Sequence, residues 1–378
     1  MKKFIVLTLV FAMILSLAAC GANNIPQSGT PSDNVQTAET ITVVDHLDHT
    51  VTVPKQIDRI AVCSIWPLPS VLSVFFNSAE KIVAMPEPSL TAAQNSLLGE
   101  LYPEILDVNT SFMTGNEVNV EELLKLDPDV VFYSASLPAL GEQLTNAGFS
   151  AVAVSVNKWD YNCIETLNNW IGLLSEIFPE NDKSAVVEEY SNNVYNMIQE
   201  RVSKIENDDR PSALFLYRYD DTEIVTSGSK FFGQWWADAS GAKNVAEMIQ
   251  QDNAVTVNME QIYAWDPDII FLTNFTAAQP EDLYGNTIGN YNWSDIDAVE
   301  DQRVYKCPLG IYRSYTPGAD TPVTLLWYAK TIYPRLFEDI DLTQEAKEYY
   351  NTVFGIELSD TQIETMFAPP SEAANGVF

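Results

Sequence analysis

The chain has 378 residues and a formal net charge of −32, from 52 acidic against 20 basic side chains. A field of that sign repels a phosphate polymer, which excludes nucleic acid as a partner and describes a strongly hydrated surface. About 340 residues beyond the polar N-terminal stretch exceed what one hydrophobic core usually accommodates, so two domains are expected.

Lys2-Lys3 followed by the apolar run from Phe4 to Leu17 has the layout of an export signal over residues 1–19, too short for a membrane span. It ends Leu17-Ala18-Ala19-Cys20-Gly21, which resembles the lipobox of bacterial lipoproteins. That resemblance implies cleavage before Cys20, diacylation of its thiol and anchoring on the extracytoplasmic face of the cell membrane. Residues 20–38, rich in Asn, Gln, Ser, Thr, Pro and Gly, read as a flexible tether.

From Glu39 the pattern becomes that of a folded α/β chain. Residues 41–44 and 50–53 alternate about the polar turn 45–49 and predict a hairpin, in which Asp45, His46, Asp48 and His49 are expected as a solvated turn rather than a metal site. Arg59 to Cys63 follows as a buried strand, with Ser64-Ile65-Trp66-Pro67-Leu68 as the loop at its carboxyl end. One unit is then written twice. NVEELLKLDPDVVF at 119–132 and NMEQIYAWDPDIIF at 258–271 align without a gap. Each reads as a helix stopped at Asp-Pro and followed at once by a continuous apolar strand, the pattern of a parallel strand covered on both faces. Two copies so far apart suit two α/β lobes facing one another.

Between them, apolar residues from Val187 to Ile205 recur at three and four residues, predicting a helix over 181–207 that spans nearly 40 Å at about 1.5 Å per residue. This partitions the chain into a first lobe at 39–180, a linking helix at 181–207 and a second lobe with terminal helices at 208–378. Of the later cysteines, Cys63 and Cys307 sit in apolar strand patterns and are expected as buried, inert thiols; with Cys163 they make an odd count that cannot be fully paired.

ITVVDHLDHTVTVPKQIDRIAV at 41–62, the first DPD junction, and GAKNVA at 241–246 together resemble the substrate-binding lipoproteins of ABC importers for ferric siderophores, haem and cobalamin, in which one long helix joins two lobes. The resemblance runs from residue 41 to about residue 357. It implies two Rossmann-like lobes with central parallel sheets, a ligand cleft between them, no chemistry, no cofactor, a monomeric state and delivery to an ABC permease. It also implies one acidic docking residue per lobe, by position Glu104 and Glu247; separately, the continuous helix, with no proline inside it, predicts a small closure on ligand binding.

The cleft is expected at the carboxyl ends of the strands. Two of the few arginines follow strand ends in aromatic company, Tyr217-Arg218-Tyr219 and Tyr312-Arg313-Ser314-Tyr315. A planar guanidinium suits an anionic oxygen ligand, and neighbouring rings add packing. The expected site is therefore Trp66 and Trp159 from the first lobe with Tyr217, Arg218, Arg313 and Tyr315 from the second, around a ferric siderophore. A molybdate-type oxyanion, served by Ser64, Ser229 and Asn274, is the alternative ligand. A surface enzyme acting on a small anion is the competing class, but its usual parts are missing: the two histidines sit together in the opening hairpin, and there is no GxGxxG, CxxC or GxSxG.

Overall fold

The computed structural model describes residues 39–376; the export signal, Cys20 and the tether lie outside the described residues. The strands Ile82–Ala84, Ile60–Cys63, Val130–Ser134 and Ala151–Val154 lie side by side in that order and are all parallel. Each is almost wholly buried, as a sheet covered by helices on both faces requires. In the second sheet, Ser212–Tyr219 pairs parallel with Ile269–Leu272, which pairs parallel with Val304–Lys306. On its other side Ile224–Ser227 and Ala254–Val257 continue antiparallel, so this sheet is mixed.

The two copies of the repeated unit fold alike. Asn119 and Asn258 cap the helices Val120–Lys125 and Met259–Trp265 with their side-chain oxygens. The residue before each proline turns left-handed, with φ of +44° at Asp127 and +42° at Asp266, rather than extended. The second aspartate explains the repetition. Asp129 accepts from the backbone of Asp58 and Arg59, each at 2.8 Å, and Asp268 accepts from the Ser212 backbone at 2.7 Å and its hydroxyl at 2.8 Å. Each carboxylate thus fastens the start of the neighbouring strand in its own sheet.

The linking helix is shorter than the periodicity suggests, running Ser184–Val202. Val187 packs in the core around the first sheet, whereas Val194, Ile198 and Val202 pack in the core beside the second, so it does pass from one lobe to the other. The terminal segment departs from the expected partition. Helices Leu342–Tyr349 and Asp360–Phe367 bury Ala346, Tyr349, Ile363 and Met366 in the first-lobe core, so the chain crosses back after the second lobe. The described residues, 39–376, form one compact unit. Cys63, Cys163 and Cys307 are free and buried, and burial pushes the thiols of Cys63 and Cys307 up to about 12.

The opening turn is solvated only at Asp48 and His49, which are exposed; Asp45 and His46 are buried. Asp45 is 3 % exposed and His46 9 %. The Asp45 carboxylate accepts from the backbone of Leu47 and His49, each at 2.9 Å, and of Ala153 at 3.1 Å, while His46 Nδ1 accepts from the Ser155 backbone at 3.0 Å. The hairpin is thereby bonded to the edge strand of the first sheet. Burial lowers the His46 pKa from 6.5 to about 4. The unfolded chain binds the proton first, so this contribution is present above pH 6.5 and is lost as pH falls through 4. Denaturant titrations are expected to show wild type losing on the order of 2 kcal/mol between about pH 6.5 and 4.5 relative to His46→Gln. Parallel pH profiles would show that the buried imidazole does not titrate as described.

Candidate ligand cleft

A cavity of about 180 Å³ opens where the carboxyl ends of both sheets meet. The first lobe contributes Ser64 to Pro67, Ser134, Ser136 and Val156; the second contributes Tyr217, Phe231, Phe232, Phe275, Tyr312 and Thr316. Ser64 holds a left-handed backbone, φ +60°, directly after its strand, a conformation that costs energy for a residue with a Cβ and is characteristic of binding loops. The Oγ of Ser64 and the Oη of Tyr312 are buried without a hydrogen-bond partner among the described residues. Ser134 and Ser136 share a hydrogen bond of 2.6 Å on the facing wall.

Two nine-residue helices start at this wall, one per lobe. Leu68–Phe76 begins after Pro67 and Phe232–Ser240 after Phe231, and neither cap residue supplies a side-chain hydrogen bond. Neither first turn contains an acidic residue. The partial positive charge of both helix starts is therefore left uncompensated by local carboxylates.

Of the residues expected at the site, Trp66 and Tyr217 line the cavity, and Ser64 does so as an oxyanion donor would. The others lie elsewhere. Trp159 meets the His46 ring edge-on at 5.0 Å and packs against the first-lobe core. Arg218 is ion-paired with Glu223, in the turn just before the neighbouring strand Ile224–Ser227. Ser229 donates to the Ile249 carbonyl at 3.2 Å. Asn274 donates to the carbonyls of Cys307 and Pro308, each at 2.9 Å, fastening its loop. Tyr315 is buried behind the wall, hydrogen-bonded to Ser227, and its ring lies 5.9 Å from that of Tyr217.

Arg313 is fully buried and donates to three backbone carbonyls, those of Pro88, Ala373 and Asn375. It does not line the cavity as expected. Of the two acids singled out by position, Glu104 accepts from the Ala79 backbone at 2.9 Å and Glu247 is exposed. Phe231, Phe232 and Phe275, which also follow strand ends, are absent from the expected set, and Tyr312, expected only as company for Arg313, lines the cavity in its place.

The sequence pattern of the family described as periplasmic binding protein matches residues 81–309. Among curated relatives, the molybdate-binding protein MolA of Haemophilus influenzae is 24 % identical over 339 residues, covering 82 % of this chain and 90 % of MolA. An iron-uptake system-binding protein of Bacillus subtilis is 22 % identical over 311 residues, with 81 % and 90 % covered. Among solved structures, a periplasmic solute binding protein from Veillonella parvula superposes with a TM-score of 0.78 at 30 % identity, over 90 % of this chain and all of that one. Molybdate-bound MolA superposes at 0.69 with 23 % identity, over 84 % of this chain and 99 % of MolA.

Proposed function

Because the chain belongs to the periplasmic binding protein family, whose members present small ligands to an ABC permease outside the cytoplasm, we propose that it captures a tetrahedral metal oxyanion of the molybdate and tungstate type. What carries this reading is the composition of the cavity wall. Two hydroxyls without a hydrogen-bond partner among the described residues and two helix starts free of acidic residues meet at one small volume from opposite lobes, and the arginines near it are already engaged with protein. Neutral donors and helix termini suit a compact dianion, which they bind without a direct counter-charge.

A ferric siderophore needs more room. Sites for drug-sized ligands run from about 300 Å³ upward, whereas this cavity is about 180 Å³. The abundance of rings, Trp66, Tyr217, Phe231, Phe232 and Phe275, is what favours the siderophore as second reading, since they offer packing surface to an organic chelator. In the same proposal the protein is held at the membrane by lipid on Cys20, and Glu104 and Glu247 meet the permease.

Isothermal titration of the purified protein with molybdate, tungstate, sulfate and a ferric siderophore tests the ligand. Molybdate and tungstate are expected to bind at micromolar concentration or below. Binding of the siderophore alone would replace the proposal by the second reading, and binding of none would remove both.

A further inference from the structure

Arg313 poses an electrostatic question that its backbone contacts do not answer. Its guanidinium is 0 % exposed and has no ion-pair partner among the described residues. Nε donates to Ala373 O at 3.1 Å, Nη1 to Pro88 O at 3.0 Å and Nη2 to Asn375 O at 2.9 Å. Three neutral carbonyls engage three of its five N–H donors and leave its charge uncompensated by any carboxylate, which is costly in a dry interior. Its Cζ lies 5.6 Å from the centre of the Phe275 ring and 5.5 Å from that of Tyr312. Both rings are walls of the ligand cavity, so one layer of side chain separates the cation from the ligand space.

We infer that Arg313 sets the charge preference of the cleft from behind its wall, favouring a dianion over a monoanion of the same shape without touching it. The inference rests on the oxyanion reading above. The field already reaches the wall: burial raises the phenol pKa values of Tyr217 and Tyr312, and the Arg313 charge opposes that rise at both. Phe275 and Tyr312 keep bulk water from the path between cation and cavity, so screening there is weak. At a separation of about 10 Å and an effective dielectric constant of about 20, each unit of ligand charge couples to the guanidinium by about tenfold in affinity. The Pro88 contact also places the cation at the lobe junction, because Ser89 next to it donates to the Trp66 carbonyl at 2.6 Å in the opposite wall.

Molybdate and perrhenate are tetrahedral, similar in size, and differ by one unit of charge, which makes them the probes. Isothermal titration is expected to show wild type preferring molybdate by about tenfold or more. Arg313→Met should lose that preference, weakening molybdate about tenfold more than perrhenate, whereas Arg313→Lys should retain it even if the lost carbonyl contacts lower its melting temperature. Equal affinity of wild type for the two anions, or an equal loss of both in Arg313→Met, would overturn the inference and leave Arg313 as a clamp on the C-terminal segment. Should Arg313→Met fail to fold, the wild-type ratio and Arg313→Lys still decide. A wild type that binds neither anion would instead overturn the oxyanion reading, and this inference with it.

Discussion

Lys306→Met is expected to lose about 3 kcal/mol of stability and to melt several degrees lower, although no ligand contact is assigned to this residue. Lys306 is 9 % exposed, and its ammonium donates to the carbonyls of Thr273 at 3.0 Å, Thr276 at 2.6 Å and Ala278 at 2.9 Å. Met fills similar volume but leaves three buried acceptors without that donor, each costing about 1 to 3 kcal/mol. Release of a buried charge offsets part of this. The same loop delivers Phe275 to the cavity and is further held by Thr273 and Thr276 hydroxyls on the Tyr217 and Tyr219 carbonyls, at 2.7 and 2.6 Å. Ligand affinity should therefore fall as well.

The lysine also has a pH signature. Burial lowers its pKa from 10.5 to about 8, so between these values the unfolded chain holds a proton that the folded one has released. Stability from this group consequently rises with pH above about 8 and is lost as pH falls through it. Denaturant titrations between pH 7.5 and pH 10 should show this rise in wild type and not in Lys306→Met, within about 1 kcal/mol per pH unit. A variant as stable as wild type with the same pH slope would show that the loop does not depend on the ammonium.

The double variant Ser64→Ala, Tyr312→Phe is expected to bind molybdate at least about a hundredfold more weakly, with each single change costing about tenfold. A hydrogen bond from a neutral hydroxyl to a charged oxygen contributes about 1.5 to 3 kcal/mol. Here both hydroxyls are buried with no hydrogen bond of normal geometry among the described residues, and only Arg313 interacts with one of them, the Tyr312 phenol, so removing them takes little from the unliganded fold. The melting temperature should stay constant or rise, because a buried polar group without a partner is itself a cost. This separation distinguishes ligand donors from core hydroxyls. Calorimetry and thermal melting of the three variants check it; unchanged affinity, or a loss of stability as large as the loss of binding, contradicts the assignment.

The framework was legible in the sequence because it rests on patterns that repeat. The DPD units, the alternating hairpin and the continuous apolar strands each follow a period that packing enforces, and the cleft then follows from where parallel strands end. Side-chain direction was less legible. Tyr217 and Arg218 are adjacent on the strand Ser212–Tyr219, so they point to opposite faces: the tyrosine reaches the cavity and the arginine meets Glu223. Tyr312 and Arg313 divide in the same way in a loop, where no period announces it. The terminal helices offered no local sign that their apolar faces belong to the first lobe, since that depends on contacts far apart in the chain, such as Met366 in one core with Ile60. Nor does composition distinguish the buried Asp45 and His46 from a hydrated turn, because their partners lie a hundred residues onward on Ala153 and Ser155.

The central claim is that the volume between Ser64 and Tyr312 holds a small metal oxyanion. Crystals of the purified protein grown with molybdate, measured on both sides of the molybdenum absorption edge, test this most directly. The account predicts one anomalous peak in the cleft, beside the helix starts after Pro67 and Phe231 and with the Ser64 and Tyr312 hydroxyls within hydrogen-bond distance of its oxygens. Protein saturated with molybdate in solution but with the peak outside the cleft, or a cleft that stays empty while a ferric siderophore fills it, would contradict it.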